Sequence, residues 1–316
     1  MRELTLTRGN PMIDPSLHIW GWEVPVYLFL GGMVAGMMTI TGYFITRGRH
    51  REGDCSCSLL PLIGVVLLSV GMLALFLDLE YKVHAWRMYA TFQPASPMSW
   101  GSWILLLVYP VLIASILIRP PAWLARRGSA VTRWSERIHR SPSLPRAIGV
   151  ASIALGIMLG IYTGVLLGAF GARPLWNSPL LGPLFLLSGL SSAAALVHMI
   201  ARDVAERELL AKADVGFLTA ELAVLGLYLI GLVTSTRAHI EAAGLILTGP
   251  YAPAFWVFVI GIGIAIPVAV QSLAVRHRIT HTPVAPILVI LGGLMLRFVI
   301  VSAGQASHWL KGAGLH

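Results

Sequence analysis

Charge is scarce in this sequence. Only 12% of its 316 residues are Asp, Glu, Lys or Arg, while 56% are hydrophobic. Soluble domains carry about 25% charged residues. So few polar groups cannot clothe one water-soluble core of this size, which makes the bilayer the fitting solvent. Cysteine is almost missing. Cys55 and Cys57 are too few for a disulfide scaffold. They also fall short of the four thiolates that an iron–sulfur cluster usually takes, so the protein is expected to carry no cluster of its own. The net charge of +9 would suit nucleic acid if it were gathered on one surface, but the charges sit in loops between apolar runs.

Those runs predict an all-α integral membrane protein with eight transmembrane helices. They cover Trp22–Ile45, Leu59–Leu79, Gly101–Ile118, Ala147–Phe170, Pro179–Met199, Val215–Ser235, Ala254–Ala274 and Pro283–Ala303. Each holds roughly 18–24 residues, enough to cross about 30 Å of hydrocarbon. The runs are continuous rather than alternating, which selects helices over a barrel. The first follows a polar lead and lacks a small-residue cleavage site, so it reads as a span rather than a cleaved signal.

Fifteen of the 23 Lys and Arg residues fall on one side of the predicted membrane and seven on the other. The richer side is expected to be cytoplasmic, placing both termini outside, in the periplasm or its equivalent. The prokaryotic cytoplasmic (inner) membrane is the expected location. A repeat relates Tyr27-Leu28-Phe29-Leu30-Gly31-Gly32 in the first span to Leu184-Phe185-Leu186-Leu187-Ser188-Gly189 in the fifth. It suggests two parallel four-helix units, residues 1–170 and 171–316, within a single membrane domain. Small residues such as Gly36, Gly189 and Gly292 would let the helices approach closely.

Ionisable side chains inside spans are costly and so become functional candidates. Glu23 opens the first span, Asp78 closes the second with Glu80 just beyond it, and Glu221 and Arg297 lie within the sixth and eighth. Glu23 and Tyr27 share a helix face, as do Asp78 and Lys82, and Glu80 and His84, if the second helix continues. Tyr162 lies about two turns from the outer end of the fourth span, and Trp22 sits at the outer boundary. If the first four helices form a bundle, these groups converge on one outward-facing apolar cavity. That chemistry suits a quinone. Tyr27 and His84 offer donors for its carbonyls, Glu23 and Asp78 exchange protons with water, and aromatic walls hold the ring. Asp78–Lys82 also fits a plain surface ion pair, and the tryptophans fit an interfacial belt.

Absent residues narrow the choice further. None of the ten histidines lies at mid-span, with His198 standing at the inner end of the fifth. No axial pair is available, so no haem is expected, and no metal site is expected either. Electrons would then reach a quinone only from a partner docked on the outer face.

The sequence resembles the NrfD/PsrC family of membrane subunits. The resemblance rests on Trp22 to Gly32, Leu77-Asp78-Leu79-Glu80, Ser96-Pro97-Met98-Ser99-Trp100-Gly101-Ser102-Trp103, Tyr162 to Leu167 with Trp176-Asn177, Phe185 to Ser192, Leu296-Arg297-Phe298 and Ala303-Gly304-Gln305. It implies menaquinone or ubiquinone chemistry near the outer face, in a pocket built by the first four helices. It also implies a ferredoxin-like [4Fe–4S] partner and a catalytic subunit, either a molybdopterin enzyme or a multihaem cytochrome. By motif, Glu23, Asp78 and Tyr162 are the expected catalytic residues. Tyr27, Glu80, His84 and Trp22 are the expected quinone-binding set. Some members carry Asn and His where this sequence has Glu23 and Tyr27. A proton path through Glu221 and Arg297 is expected as well, and residues 81–99 are the expected docking segment. Two rival readings are a proton- or ion-coupled transporter, using Glu221, Gln271 and Arg297, and a structural anchor without redox chemistry.

Overall fold

A computed structural model describes residues 20–49, 58–79, 82–84, 86–94, 96–121, 124, 129–141, 143–169, 171, 173–201, 203–275 and 283–307. Eight helices among them are long and apolar enough to cross a membrane: α1 (Glu23–Thr46), α2 (Leu60–Asp78), α3 (Pro97–Ile118), α4 (Ser143–Gly168), α5 (Leu181–Ile200), α6 (Val204–Val233), α7 (Ala254–Val275) and α8 (Val284–Ala306). The described residues form no β-strand. With nothing but lipid around them, helices satisfy every backbone group internally.

The spans match the expected ones except at three beginnings, of which α4 starts at Ser143 rather than Ala147. α3 begins at Pro97 rather than Gly101, with Ser96 extended before it. Proline suits a first turn, where its missing N–H would have no partner in any case. α6 begins at Val204 rather than Val215. Asp203 caps it by accepting from the Ala205 amide at 3.1 Å. The added stretch is rich in charge, and within it Glu208 and Lys212 form an i,i+4 ion pair at 2.7 Å.

The second helix does not continue as far as the i,i+4 pairings required. α2 stops at Asp78, because Leu79 is extended, and Lys82–His84 forms a separate 3₁₀ turn. Among the described residues, no salt bridge joins Asp78 to Lys82. Glu80, Cys55 and Cys57 lie outside the described residues.

α1 is the most buried span and packs against α2, α4, α5 and α8. Its crossing with α5 needs small residues, because a Cβ added at Gly189 would meet the backbone of Gly32. Such contacts replace the hydrophobic drive that is lost in lipid. The first twelve residues of α7, Ala254–Ala265, are wound as a π-helix. An amphipathic helix, Ser129–Arg140, joins α3 to α4. Its Ile138 packs with Ile45 and Ile118, and Arg137 lies 5.2 Å over the Trp134 ring. We call its side of the molecule the basic face. The opposite side, where α1 begins and α8 ends, is the pocket face.

Candidate functional site

Near the pocket face, α1 to α4 diverge around a cavity of about 200 Å³. α1 contributes Val24 and Tyr27, α2 contributes Met72, Leu75 and Asp78, α3 contributes Met98, Gly101, Ser102 and Leu105, and α4 contributes Tyr162 and Leu166. Trp20 and Tyr89 close it from the segments before α1 and α3. The walls are mainly apolar, with a few polar groups at defined points, the usual make-up of a small-molecule site.

Tyr27, Asp78 and Tyr162, three of the expected residues, meet in this cavity. Tyr27 and Tyr162 are buried, and the two phenols lie within electrostatic reach of each other and of Tyr89. Gly101 makes room for Tyr162. A Cβ built on it would overlap the phenol hydroxyl. Glu23 stands half-buried at the start of α1, outside the lining but close enough for its charge to act on Asp78. Trp22 and His84 are exposed and do not line the cavity, and Trp20 takes the position expected of Trp22.

Two aromatic lining residues, Trp20 and Tyr89, were not among the expected site residues. Tyr89 belongs to the one-turn helix Arg87–Ala90. Partial burial, and then the Tyr109 phenol, push its hydroxyl above the usual tyrosine range, so it remains a donor at neutral pH. The segment that carries it folds back on the start of α3. Gln93 N donates to Ser99 Oγ at 3.0 Å, Trp100 Nε1 donates to Pro94 O at 2.7 Å, and Phe92 meets Trp103 edge-on at 5.6 Å. Around it, Trp22, Val83, Trp86, Phe92, Met98 and Trp100 expose large apolar side chains.

A second polar cluster is enclosed among α5, α6, α7 and α8. Arg297, fully buried, donates to Ser188 Oγ, to Phe185 O at 2.8 Å and to Gly293 O at 3.2 Å, with its guanidinium 4.6 Å over the Phe185 ring. Glu221 makes no direct salt bridge with Arg297. It accepts from Ser191 Oγ at 3.4 Å and is also bonded by Ser188, so that hydroxyl links carboxylate and guanidinium.

The structure adds Asp214, which accepts from Gln271 Nε2 at 2.6 Å and lies within electrostatic reach of Glu221. Glu206, Leu210, Asp214, Leu218, Glu221, Leu225 and Tyr228 form one buried stripe along α6. The spacing of three and four residues was visible in the sequence, but Asp214 fell just before the expected span. Asp214 Oδ1, Gln271 Oε1, Ser192 Oγ and Arg297 Nε are buried without a protein hydrogen-bond partner. Buried polar atoms of this kind are commonly satisfied by internal water. Among the described residues, no group of three or more His, Cys, Asp and Glu could hold a metal ion.

Comparison with known proteins agrees with this architecture. Residues 11–307 match the family model described as polysulphide reductase, NrfD. The sequence is 30% identical over 303 residues to one polypeptide of the polysulfide reductase of Wolinella succinogenes, a match spanning 91% of this protein and 94% of that one. It is 28% identical over 310 residues to protein NrfD of Escherichia coli, spanning 91% and 95%. One subunit of the selenate reductase of Mesobacillus selenatarsenatis is 23% identical over 319 residues, spanning 90% and 74%. With eight apolar helices and a family match over nearly its whole length, the chain is a multi-pass integral membrane protein of the NrfD polysulphide reductase family.

Proposed function

We propose that the protein is the quinone-reactive membrane anchor of a multi-subunit oxidoreductase in a prokaryotic cytoplasmic membrane. The observation that carries this reading is the cavity where Tyr27, Asp78 and Tyr162 meet at the ends of α1, α2 and α4. An apolar cavity with hydroxyl donors and a carboxylate at its edge fits a flat ring bearing two carbonyl oxygens. Menaquinone or ubiquinone would supply the two-electron, two-proton chemistry. In this reading Tyr27 and Tyr162 donate to ring carbonyls, and Tyr89 is a third donor near the rim. Asp78 moves protons between the site and water, with Glu23 beside it. The hydrophobic walls orient the ring and exclude water.

We assign the supply of electrons to a partner. The matched relatives are named as parts of polysulfide and selenate reductases, which supports an assembly with a catalytic subunit. The exposed aromatic surface over residues 82–100, directly above the cavity, is where we place a ferredoxin-like [4Fe–4S] subunit. A molybdopterin enzyme or multihaem cytochrome would lie beyond it. The Ser188–Glu221–Asp214–Gln271 cluster with Arg297 supports proton translocation coupled to turnover, since its polar atoms form a discontinuous path from mid-membrane toward the basic face.

Purification of the complex with its copurifying subunits, followed by quinol titration, tests the proposal. Asp78→Asn and Tyr162→Phe should each lower quinol-dependent electron transfer. Unchanged transfer in both would remove these residues from the site.

A further inference from the structure

One wall of the cavity, Trp20, comes from outside the four helices around it. Trp20 precedes α1 and lies outside its helical ladder. Its backbone is gripped by one side chain from the far end of the sequence. The Trp20 N–H donates to Gln305 Oε1 at 3.1 Å, and Gln305 Nε2 donates to the Trp20 carbonyl at 3.0 Å. A single buried amide thus satisfies both backbone groups of one residue, as a neighbouring β-strand would.

The ring is fixed from the same side. Trp20 stacks on Trp176 with ring centroids 5.2 Å apart and planes 26° from parallel. Trp176 in turn donates its indole N–H to the Ile300 carbonyl of α8 at 2.9 Å. A Cβ on Gly304 would overlap that indole. Arg173 donates to Ser307 O at 2.8 Å and Tyr228 donates to Leu175 O at 2.7 Å, which tie this segment to the ends of α8 and α6. Gln305 therefore sits at the end of a packed column that runs from α8 through Trp176 to the cavity wall. The same helix carries Arg297 about two turns away.

We propose that Gln305 is a positioning residue for the ring-binding site: it holds Trp20 as a preformed wall, so that α8 sets how tightly the cavity grips its ligand. This inference rests on the quinone reading given above. An unclamped wall must be ordered each time a ligand enters, and that ordering weakens binding without altering the groups that exchange protons or electrons. Gln305 touches Trp20 and is not itself part of the cavity lining, so its effect falls on affinity.

The test uses the intact complex in native membranes, with decylubiquinone and menadione, in oxidised and reduced form, as probes. Gln305→Leu should raise the KM for the accepted quinol, and the Kd for its oxidised form, by roughly five- to tenfold, the scale of losing hydrogen bonds. The kcat should stay within about twofold. Trp20→Ala should raise KM comparably, and combining the two changes should add little, because one acts through the other. Gln305→Glu keeps the acceptor for the Trp20 N–H and should fall between wild type and Gln305→Leu. An unchanged KM in Gln305→Leu, or full additivity with Trp20→Ala, would overturn the proposal while leaving the quinone site intact. If Gln305→Leu fails to assemble, Gln305→Glu and Trp20→Ala with their double variant decide the matter by the same criterion. A wild-type complex that binds neither probe would overturn both the clamp and the quinone reading.

Discussion

Gly101→Val is the sharpest perturbation of the cavity. Gly101 is buried near the start of α3, and any Cβ there would fall on the Tyr162 phenol. The backbone itself has no objection to the change. Glycine is a poorer helix former than alanine by roughly 0.5–1 kcal/mol and β-branched valine recovers part of that, so α3 alone would gain slightly. The loss comes from displacing a buried ring whose hydroxyl faces the cavity. Overpacking of this kind costs about 1–3 kcal/mol. Were that strain borne wholly by the ligand-binding geometry, affinity would fall by roughly five- to 150-fold, at 1.4 kcal/mol per factor of ten. Purified complex assayed for quinol oxidation across a wide concentration range should show KM raised within that span, with the complex still assembled. Gly101→Ala should show the same defect in milder form. A KM equal to wild type in both variants would mean that the Tyr162 hydroxyl does not border the binding site, and the reasoning would fail.

Further outcomes follow from the same geometry. Tyr27→Phe and Tyr162→Phe each remove one hydroxyl donor and should lower quinol kcat/KM by roughly five- to tenfold, measured under steady-state turnover. Glu221→Gln should abolish proton movement into proteoliposomes while quinol-dependent electron transfer continues, because Glu221 lies among α5, α6 and α8 rather than in the cavity. Arg297→Lys keeps the charge but cannot reproduce the planar fork that meets Ser188, Phe185 O and Gly293 O together. It should impair proton movement nearly as much, which a pH-sensitive dye in the lumen would read. Asp203→Ala removes the cap of α6 and should cost about 1 kcal/mol, seen as a lower midpoint in thermal unfolding of the detergent-solubilised complex, with turnover unchanged below that temperature.

The spans were legible because lipid demands long apolar runs, and Leu-, Val- and Ile-rich stretches such as Leu60–Asp78 satisfy that demand on composition alone. Beginnings hidden by polarity were not. α6 starts beneath a stretch rich in charge, since a helix can project beyond the hydrocarbon once Asp203 caps it. That misplacement left Asp214 outside the expected span, although Asp214 and Glu221 share one face of the helix at a spacing of seven residues. Tyr27, Asp78 and Tyr162 were legible as neighbours because each sits at the same end of an adjacent helix. Trp20 and Tyr89 were not, because they reach the cavity from segments outside the spans, whose course depends on contacts such as Gln305–Trp20 and Trp100–Pro94. The i,i+4 pairing of Asp78 with Lys82 failed for the converse reason: Leu79 turns extended and the helical spacing no longer applies.

The central claim, a quinone seated among α1 to α4, is tested most directly by photolabelling the intact complex with an azidoquinone and mapping the modified peptides. The account predicts label concentrated on the stretches around Trp20 to Tyr27, Met72 to Asp78, Met98 to Leu105 and Tyr162 to Leu166, suppressed by excess unlabelled quinone. Specific, competable label confined to α5 through α8, or none on these four stretches, would contradict it.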